Sequence, residues 1–215
     1  MMGIVWLVLT LVLWGILHSL MASLAFKETF KRLAGPFMNR FYRLFYNAFS
    51  VFTLIGVLAV AAGTPDQRLY TLPFPWSAAF ILLEVLGVLA LGHSFMQTNI
   101  WEFIGLKQLE GPIEKTAEEQ YLEPEPHKLV TSGLYGYIRH PLYSAGLVII
   151  WLVPVMTEHL LVIDIALTLY IFIGATFEER KLRREFGQSY LDYSAVTPMF
   201  IPFTKWNKTP RKSSV

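Results

Sequence analysis

The chain has 215 residues, of which 54% are hydrophobic, 15% aromatic and only 16% charged. A soluble domain carries about a quarter charged residues, so that class is excluded and a single all-α, polytopic membrane domain over 1–215 is expected. The absence of cysteine excludes a disulfide framework, thiolate metal sites and a cysteine nucleophile; no metal site and no nucleic-acid partner are expected.

Apolar runs near 20 residues cross a bilayer core of about 30 Å. Three such runs lie in residues 1–96, namely Met2–Phe26, Tyr42–Ala62 and Trp76–Met96. Two shorter ones follow, Leu142–Met156 and His159–Phe177, divided by the polar Thr157-Glu158. About five transmembrane helices are therefore predicted. Placing the loop after the first run in the cytoplasm puts 17 of the 18 basic residues on that side, with Arg68 alone outside. The positive-inside rule then predicts an outer amino terminus and a cytoplasmic carboxyl terminus. No basic region precedes the first run, which argues against a cleaved signal peptide.

In the first run Trp14 and His18 share a helical face. They either line a polar pocket or, as we prefer, let a histidine hydrogen-bond a neighbouring helix. Residues 27–43 read as a basic loop with a turn at Gly35-Pro36, its Arg40, Tyr42, Arg43 and Tyr46 forming an interfacial anchor. Glu84 and His93 in the third run are costly in lipid unless they face protein or headgroup water. Residues 97–141 form the longest loop, helix-like over Asn99–Leu109 and then acidic and proline-rich. It is either a solvated connector or a lid; loops this long tend to be functional, and this one ends at the stretch Gly133–Tyr143, which favours a lid. After the fifth run, Leu182, Phe186, Tyr190 and Tyr193 recur at helical spacing opposite charges, the pattern of an amphipathic surface helix. Pro198 is expected to stop it, Met199–Phe203 to fold back, and the basic tail over 204–215, with Trp206, to meet anionic membrane lipids.

The most unusual stretch is Gly133-Leu134-Tyr135-Gly136-Tyr137-Ile138-Arg139-His140-Pro141-Leu142-Tyr143, polar groups set directly against an apolar run. Pro141 suits the first turn of a helix. The last two runs have almost nothing between them and form an antiparallel hairpin, so Arg139, His140 and Tyr143 of one meet Glu178 and Glu179 of the other. A ligand with a carboxylate, an ammonium and a further cationic centre, as in S-adenosylmethionine, would find a partner for each group. Singly, each residue also has a structural explanation: Arg139 and His140 as headgroup anchors, Glu179 and Arg183 as an i,i+4 pair.

In order, Leu129-Val130-Thr131-Ser132-Gly133-Leu134-Tyr135, Arg139-His140-Pro141-Leu142-Tyr143, the hairpin, Glu178-Glu179 and Phe186-Gly187-Gln188-Ser189-Tyr190 resemble the isoprenylcysteine carboxyl methyltransferases and the related phospholipid and small-thiol membrane methyltransferases. Ile104-Gly105-Leu106-Lys107-Gln108 and Thr197-Pro198-Met199-Phe200-Ile201-Pro202 resemble the bacterial methanethiol S-methyltransferase branch. The resemblance covers about Ser94–Phe203 and makes residues 97–203 the methyltransferase-like, cofactor-binding part. It implies S-adenosylmethionine bound at the cytoplasmic end of the last hairpin, contacted by Tyr135, Arg139, His140, Pro141, Leu142, Tyr143 and Glu178. Gln120, His127, Lys128, Leu129 and Val130 would close over it. There are two departures. Prenylcysteine enzymes carry a substrate-binding arginine one turn before Glu178, where this chain has Gly174, and the glycine after the motif tyrosine is displaced, giving Tyr143-Ser144-Ala145-Gly146.

The expected activity is membrane-embedded, S-adenosylmethionine-dependent methyl transfer to a lipophilic or small thiol, carboxylate or amine acceptor. A thiol or amine must lose a proton, for which Glu178, Glu179 and His140 are the candidate bases. The alternatives are an NADPH-dependent membrane reductase of the sterol-reductase type and a non-enzymatic accessory protein with the same fold.

Overall fold

The computed structural model describes residues 2–97, 101, 104–109 and 129–204. It is an all-α membrane fold. Helices α1 (Met2–Ala22), α3 (Tyr42–Ala62), α4 (Trp76–Gln97) and α6 (Glu158–Val196) are each long and apolar enough to cross a bilayer. Helix α5 (Pro141–Trp151) is apolar but shorter, and α2 (Leu24–Asn39) joins α1 to α3. Strands β1 (Arg68–Thr71) and β2 (Val155–Thr157) make a two-stranded sheet.

Three boundaries differ from the sequence expectation. The fourth apolar run leaves the helix at Trp151 instead of continuing to Met156, because Pro154 has no N–H to donate and disfavours a helical residue before it. Residues 27–43 are mostly helical and not a loop; Gly35, at φ 75°, breaks the helix where a turn is expected, and Arg40 and Phe41 turn the chain into α3. Phe26 and Phe30, one turn apart, rest their rings on Tyr42, and Phe30 also meets Phe45. That apolar face stabilises a helix whose charges suggest a loop. Thirdly, the amphipathic segment after Phe177 continues the fifth apolar run as helix as far as Gly187, whose φ 53° and ψ −125° break it, and helix resumes from there to Val196.

The chain forms two compact units. The first contains α1–α3 and the start of α6. His18 joins α1 to α3: its Nε2 meets the Tyr46 hydroxyl at 2.5 Å and its Nδ1 the Ser50 hydroxyl at 2.7 Å. The Ser50 proton is directed to the Tyr46 carbonyl at 2.7 Å, so Nδ1–H donates to Ser50 and Nε2 accepts from Tyr46. Trp14 stacks on the ring with centroids 5.2 Å apart and donates to the Ser50 carbonyl at 3.2 Å. The histidine is thus a helix–helix hydrogen-bonding group, the preferred expectation. Residues 104–109 lie on the start of α3. Asn47 donates to the Ile104 carbonyl at 2.9 Å, Arg40 donates to the Leu109 carbonyl, and Gly105 sits at φ 102° where a Cβ would stand 2.7 Å from the Leu44 nitrogen. At the other end of this unit Asp66 accepts the His159 N–H at 3.1 Å, capping the first turn of α6.

The second unit contains α4, α5 and the rest of α6. A Cβ on Gly87 of α4 would lie 3.0 Å from Ile149 and 3.1 Å from Val148 of α5, so the two helices approach as closely as a missing side chain permits. The Trp151 indole donates to the Thr168 hydroxyl at 2.8 Å, holding α5 to α6. Glu84 is half-buried and His93 exposed on α4.

Candidate active site

The site lies within the second unit, where the start of α5 meets the latter part of α6. A short 3-10 turn, Gly133–Gly136, leads into Arg139 and His140, and Pro141 opens α5 from its first position. The backbone N–H groups of Arg139 and His140 are not helical. They donate to the carbonyls of Pro198 at 2.9 Å and Met199 at 3.1 Å. The segment after α6 thus folds back onto the site, and the Ser144 hydroxyl fixes it again by donating to the Phe200 carbonyl at 2.8 Å.

Glu178 and Glu179 are neighbours on α6, so their side chains leave the axis about 100° apart and meet different surroundings. Glu179 is buried, 5% exposed. Its Oε1 accepts from Arg139 Nε at 2.8 Å, His140 Nε2 at 2.9 Å and the Tyr190 hydroxyl at 2.6 Å. Its Oε2 accepts from Arg139 Nη2 at 3.1 Å, with Arg183 at 3.7 Å. The remaining Arg139 nitrogen, Nη1, donates to the carbonyls of Thr197 at 2.5 Å and Ser194 at 3.2 Å. These lie at the carboxyl end of α6, where carbonyls lack helical partners. Four hydrogen bonds, two to Glu179 and two to main-chain carbonyls, thus tie Arg139 into the protein.

His140 stands between the two carboxylates, Nε2 against Glu179 and Nδ1 3.5 Å from Glu178. With an acceptor on each side, both nitrogens are best satisfied as donors, the protonated form. Burial pulls its pKa down, but the hydrogen bonds to Glu178 and Glu179 and their charges outweigh this and leave it above the ordinary value. Tyr143 stacks on one side of the ring, 5.3 Å between centroids at 9°, and Phe200 lies 5.7 Å away. Glu178 differs from Glu179: its side chain is 41% exposed. Tyr143 lies close enough to interact electrostatically with it. Tyr135 and Tyr170 lie within electrostatic reach of Tyr143, and burial and then the Glu178 charge hold the Tyr135 hydroxyl above its usual pKa. The arrangement is an exposed carboxylate rimmed by phenols, resting on a buried ionic network. Among the described residues no cluster of histidines and carboxylates suits a metal ion.

Tyr135, Arg139, His140, Pro141, Leu142, Tyr143, Glu178 and Glu179 are thus brought to one place or its immediate flank. Leu129 and Val130 lie in the irregular segment ahead of the 3-10 turn, with Val130 exposed. Gln120, His127 and Lys128 fall outside the described residues, as does the basic tail beyond residue 204. The sequence did not single out Tyr170, Ser194, Thr197 or Phe200 as site groups. It placed Tyr190 and Tyr193 on an amphipathic face, and Tyr190 also at the end of the Phe186–Tyr190 motif, without giving either a role in the site. Yet Tyr193 donates to the Tyr135 carbonyl at 2.6 Å and Tyr190 reaches Glu179. The one available signal was the glycine at 187, inside an otherwise helical pattern.

Comparison with known proteins gives this geometry a family. Residues 88–189 match the family described as Phospholipid methyltransferase. The methanethiol S-methyltransferase of Crocosphaera subtropica is 29% identical over 89% of this chain and 71% of its own length. Methanethiol S-methyltransferase 2 of Bradyrhizobium diazoefficiens is 31% identical over 94% of this chain and 74% of its own. A protein-S-isoprenylcysteine O-methyltransferase B of Arabidopsis thaliana is 36% identical over a shorter part, 37% of this chain. No solved structure matches. Four bilayer-length helices and these relatives make the chain a multi-pass membrane protein and a methyltransferase. It belongs to the phospholipid methyltransferase family of membrane methyltransferases, in which the methanethiol and isoprenylcysteine enzymes are its relatives.

Proposed function

We propose that the chain transfers a methyl group from S-adenosylmethionine to a small thiol at the cytoplasmic face of the membrane. The observation that carries this is the contrast between the two glutamates. Glu179 is hydrogen-bonded through both oxygens and buried, whereas Glu178 is half-exposed, with Tyr135 and Tyr143 within electrostatic reach. The fit to the methyl donor rests on charge. S-adenosylmethionine carries an ammonium and a sulfonium, and an exposed carboxylate with aromatic faces beside it suits both. Bound there, it would supply an electrophilic methyl group.

The protein's own groups then divide the remaining work. Arg139 and Glu179 hold the start of α5 against α6. His140, hydrogen-bonded to Glu179 through Nε2 and with Nδ1 3.5 Å from Glu178, serves to orient Glu178. A thiol acceptor must lose its proton, and of the three candidate bases only Glu178 presents an accessible oxygen, directly or through water. Methyl transfer is an in-line displacement, so positioning and exclusion of bulk water supply most of the acceleration. The choice of a thiol is supported by relatives that are methanethiol S-methyltransferases over about nine-tenths of this chain. The cytoplasmic placement is supported by the 17 of 18 basic residues that fall on one side of the predicted topology.

The test is calorimetric titration of the detergent-solubilised protein with S-adenosylhomocysteine. Labelled methyl transfer to short-chain thiols, prenylcysteine analogues and phospholipids would run in parallel. Binding of the nucleoside and labelling of thiols is the expected result. A protein that binds no S-adenosylhomocysteine would sink the proposal, and labelling of lipid alone would overturn the acceptor.

A further inference from the structure

Tyr190 follows Glu179 by eleven residues, with Gly187 between them. At about 1.5 Å per residue a straight helix would hold their Cα atoms roughly 16 Å apart, beyond the reach of a phenol and a carboxylate. Yet the Tyr190 hydroxyl donates to Glu179 Oε1 at 2.6 Å. The chain reverses between them at Gly187, which has φ 53° and ψ −125° in the midst of helical neighbours. The reversed segment brings Tyr190 in, 1% exposed and among the most completely buried side chains of the protein. Its ring meets Tyr193 at 5.9 Å, edge to face, and Tyr193 is in turn bonded to the Tyr135 carbonyl. A buried phenol needs a partner for its hydroxyl. This one takes the same carboxylate oxygen that receives His140 Nε2–H, whose other nitrogen faces Glu178.

We propose that Tyr190, delivered by the reversal at Gly187, is a positioning residue of the methyl-transfer site: its hydroxyl orients the Glu179 carboxylate and, through it, the His140 imidazole that faces Glu178. This rests on the methyltransferase function proposed above, but its first readout does not. Oε1 of Glu179 shares its electron density among three donors. Removing the phenolic donor leaves more of that density to Nε2–H, so the imidazole proton is held more tightly. The charged and titratable groups around the ring are Glu178, Glu179 and Tyr143 directly, with Arg139, Arg183 and Tyr190 acting on Glu179.

The experiment is ¹⁵N NMR titration of histidine-labelled wild type and Tyr190→Phe, with the His140 signal assigned by its loss in His140→Asn. In Tyr190→Phe the imidazole should titrate at higher pH than in wild type. S-adenosylhomocysteine should bind about three- to tenfold more weakly, as for one lost hydrogen bond to a charged group acting at one remove. A variant with lowered thermal stability but an unmoved His140 titration would make Tyr190 purely structural and overturn the proposal. If the phenylalanine variant does not fold, 3-fluorotyrosine at 190 keeps the packing and strengthens the donor. The titration should then move to lower pH, and no movement is again a refutation. A wild type that binds no S-adenosylhomocysteine, combined with a moved titration, would leave the Tyr190–Glu179–His140 coupling standing and refute the cofactor instead.

Discussion

Arg139 grips Glu179 with two parallel N–H···O bonds, Nε to Oε1 at 2.8 Å and Nη2 to Oε2 at 3.1 Å, and both side chains are less than one-tenth exposed. The two residues stand forty positions apart, one just before α5 and the other on α6. The pair ties the start of α5 to α6. It also constrains the neighbouring groups, because most of the Arg139 donors and both Glu179 oxygens are already hydrogen-bonded within the protein. What remains open to solvent is Glu178, held in place from the side.

Removing one partner of such a pair leaves an uncompensated buried charge, a loss of about 3–5 kcal/mol. Glu179→Ala is therefore expected to unfold well below the wild type in thermal melts in detergent. Glu178→Gln, changing a half-exposed group, should melt close to the wild type while binding S-adenosylhomocysteine at least tenfold more weakly, about 1.4 kcal/mol. Equal melting losses in the two variants would contradict the division of roles between the glutamates.

His140 makes the stability depend on pH. Its folded pKa lies above the ordinary 6.5, so its contribution is complete below that value and is lost as pH rises through the folded pKa. Melting temperature should accordingly fall across the upper part of a series from about pH 5.5 to 8.5. The part of that slope due to this group should vanish in His140→Asn. An identical slope in the variant would remove His140 as its cause.

The spans were legible in the sequence because hydrophobic runs of bilayer length have few alternatives, and the juxtaposition of Arg139 and His140 with Glu178 and Glu179 followed from a hairpin with a short connection. Other features were hidden for identifiable reasons. Four charges within Lys27–Arg32 masked the apolar face that Phe26 and Phe30 give α2. Besides Glu179, Arg139 bonds the Ser194 and Thr197 carbonyls, main-chain groups that no side-chain pattern reveals. Tyr190 looked like one more apolar-face residue, since helical periodicity assumes a straight axis and Gly187 breaks it.

Gly187 is testable by itself. A Cβ there would meet nothing within 4 Å, so any cost of Gly187→Ala is conformational and not steric. A non-glycine residue at this φ and ψ is expected to lose about 1–3 kcal/mol. Because the strain is relieved by straightening the helix, the Tyr190–Glu179 bond should be lost with it. The variant should then show faster amide exchange in residues 188–196. Unchanged exchange there would mean that the reversal does not depend on glycine.

The α4–α5 contact at Gly87 predicts a size series. A methyl group at 3.0–3.1 Å from Ile149 and Val148 requires those side chains to shift by a few tenths of an ångström, whereas a larger group must part the helices. Gly87→Ala should be nearly neutral and Gly87→Leu should cost about 1–3 kcal/mol by overpacking. A leucine variant that melts with the wild type would show that α4 and α5 do not pack as closely as described.

Gly174 sits one helical turn before Glu178, on the same side of α6, and a Cβ there would meet nothing within 4 Å. Unlike Gly87, it marks open space next to the exposed carboxylate. Replacing an interior helical glycine removes a propensity penalty of about 1 kcal/mol, so Gly174→Leu should raise the melting temperature slightly. If that space receives the methyl acceptor, the same substitution should raise KM for bulky thiols more than for the smallest ones. S-adenosylhomocysteine affinity should stay within about twofold of wild type, under 0.5 kcal/mol. Stability and acceptor use would then move in opposite directions, which a general packing defect cannot produce. Uniform loss across all thiols, or a parallel loss of nucleoside binding, would place the acceptor elsewhere around Glu178.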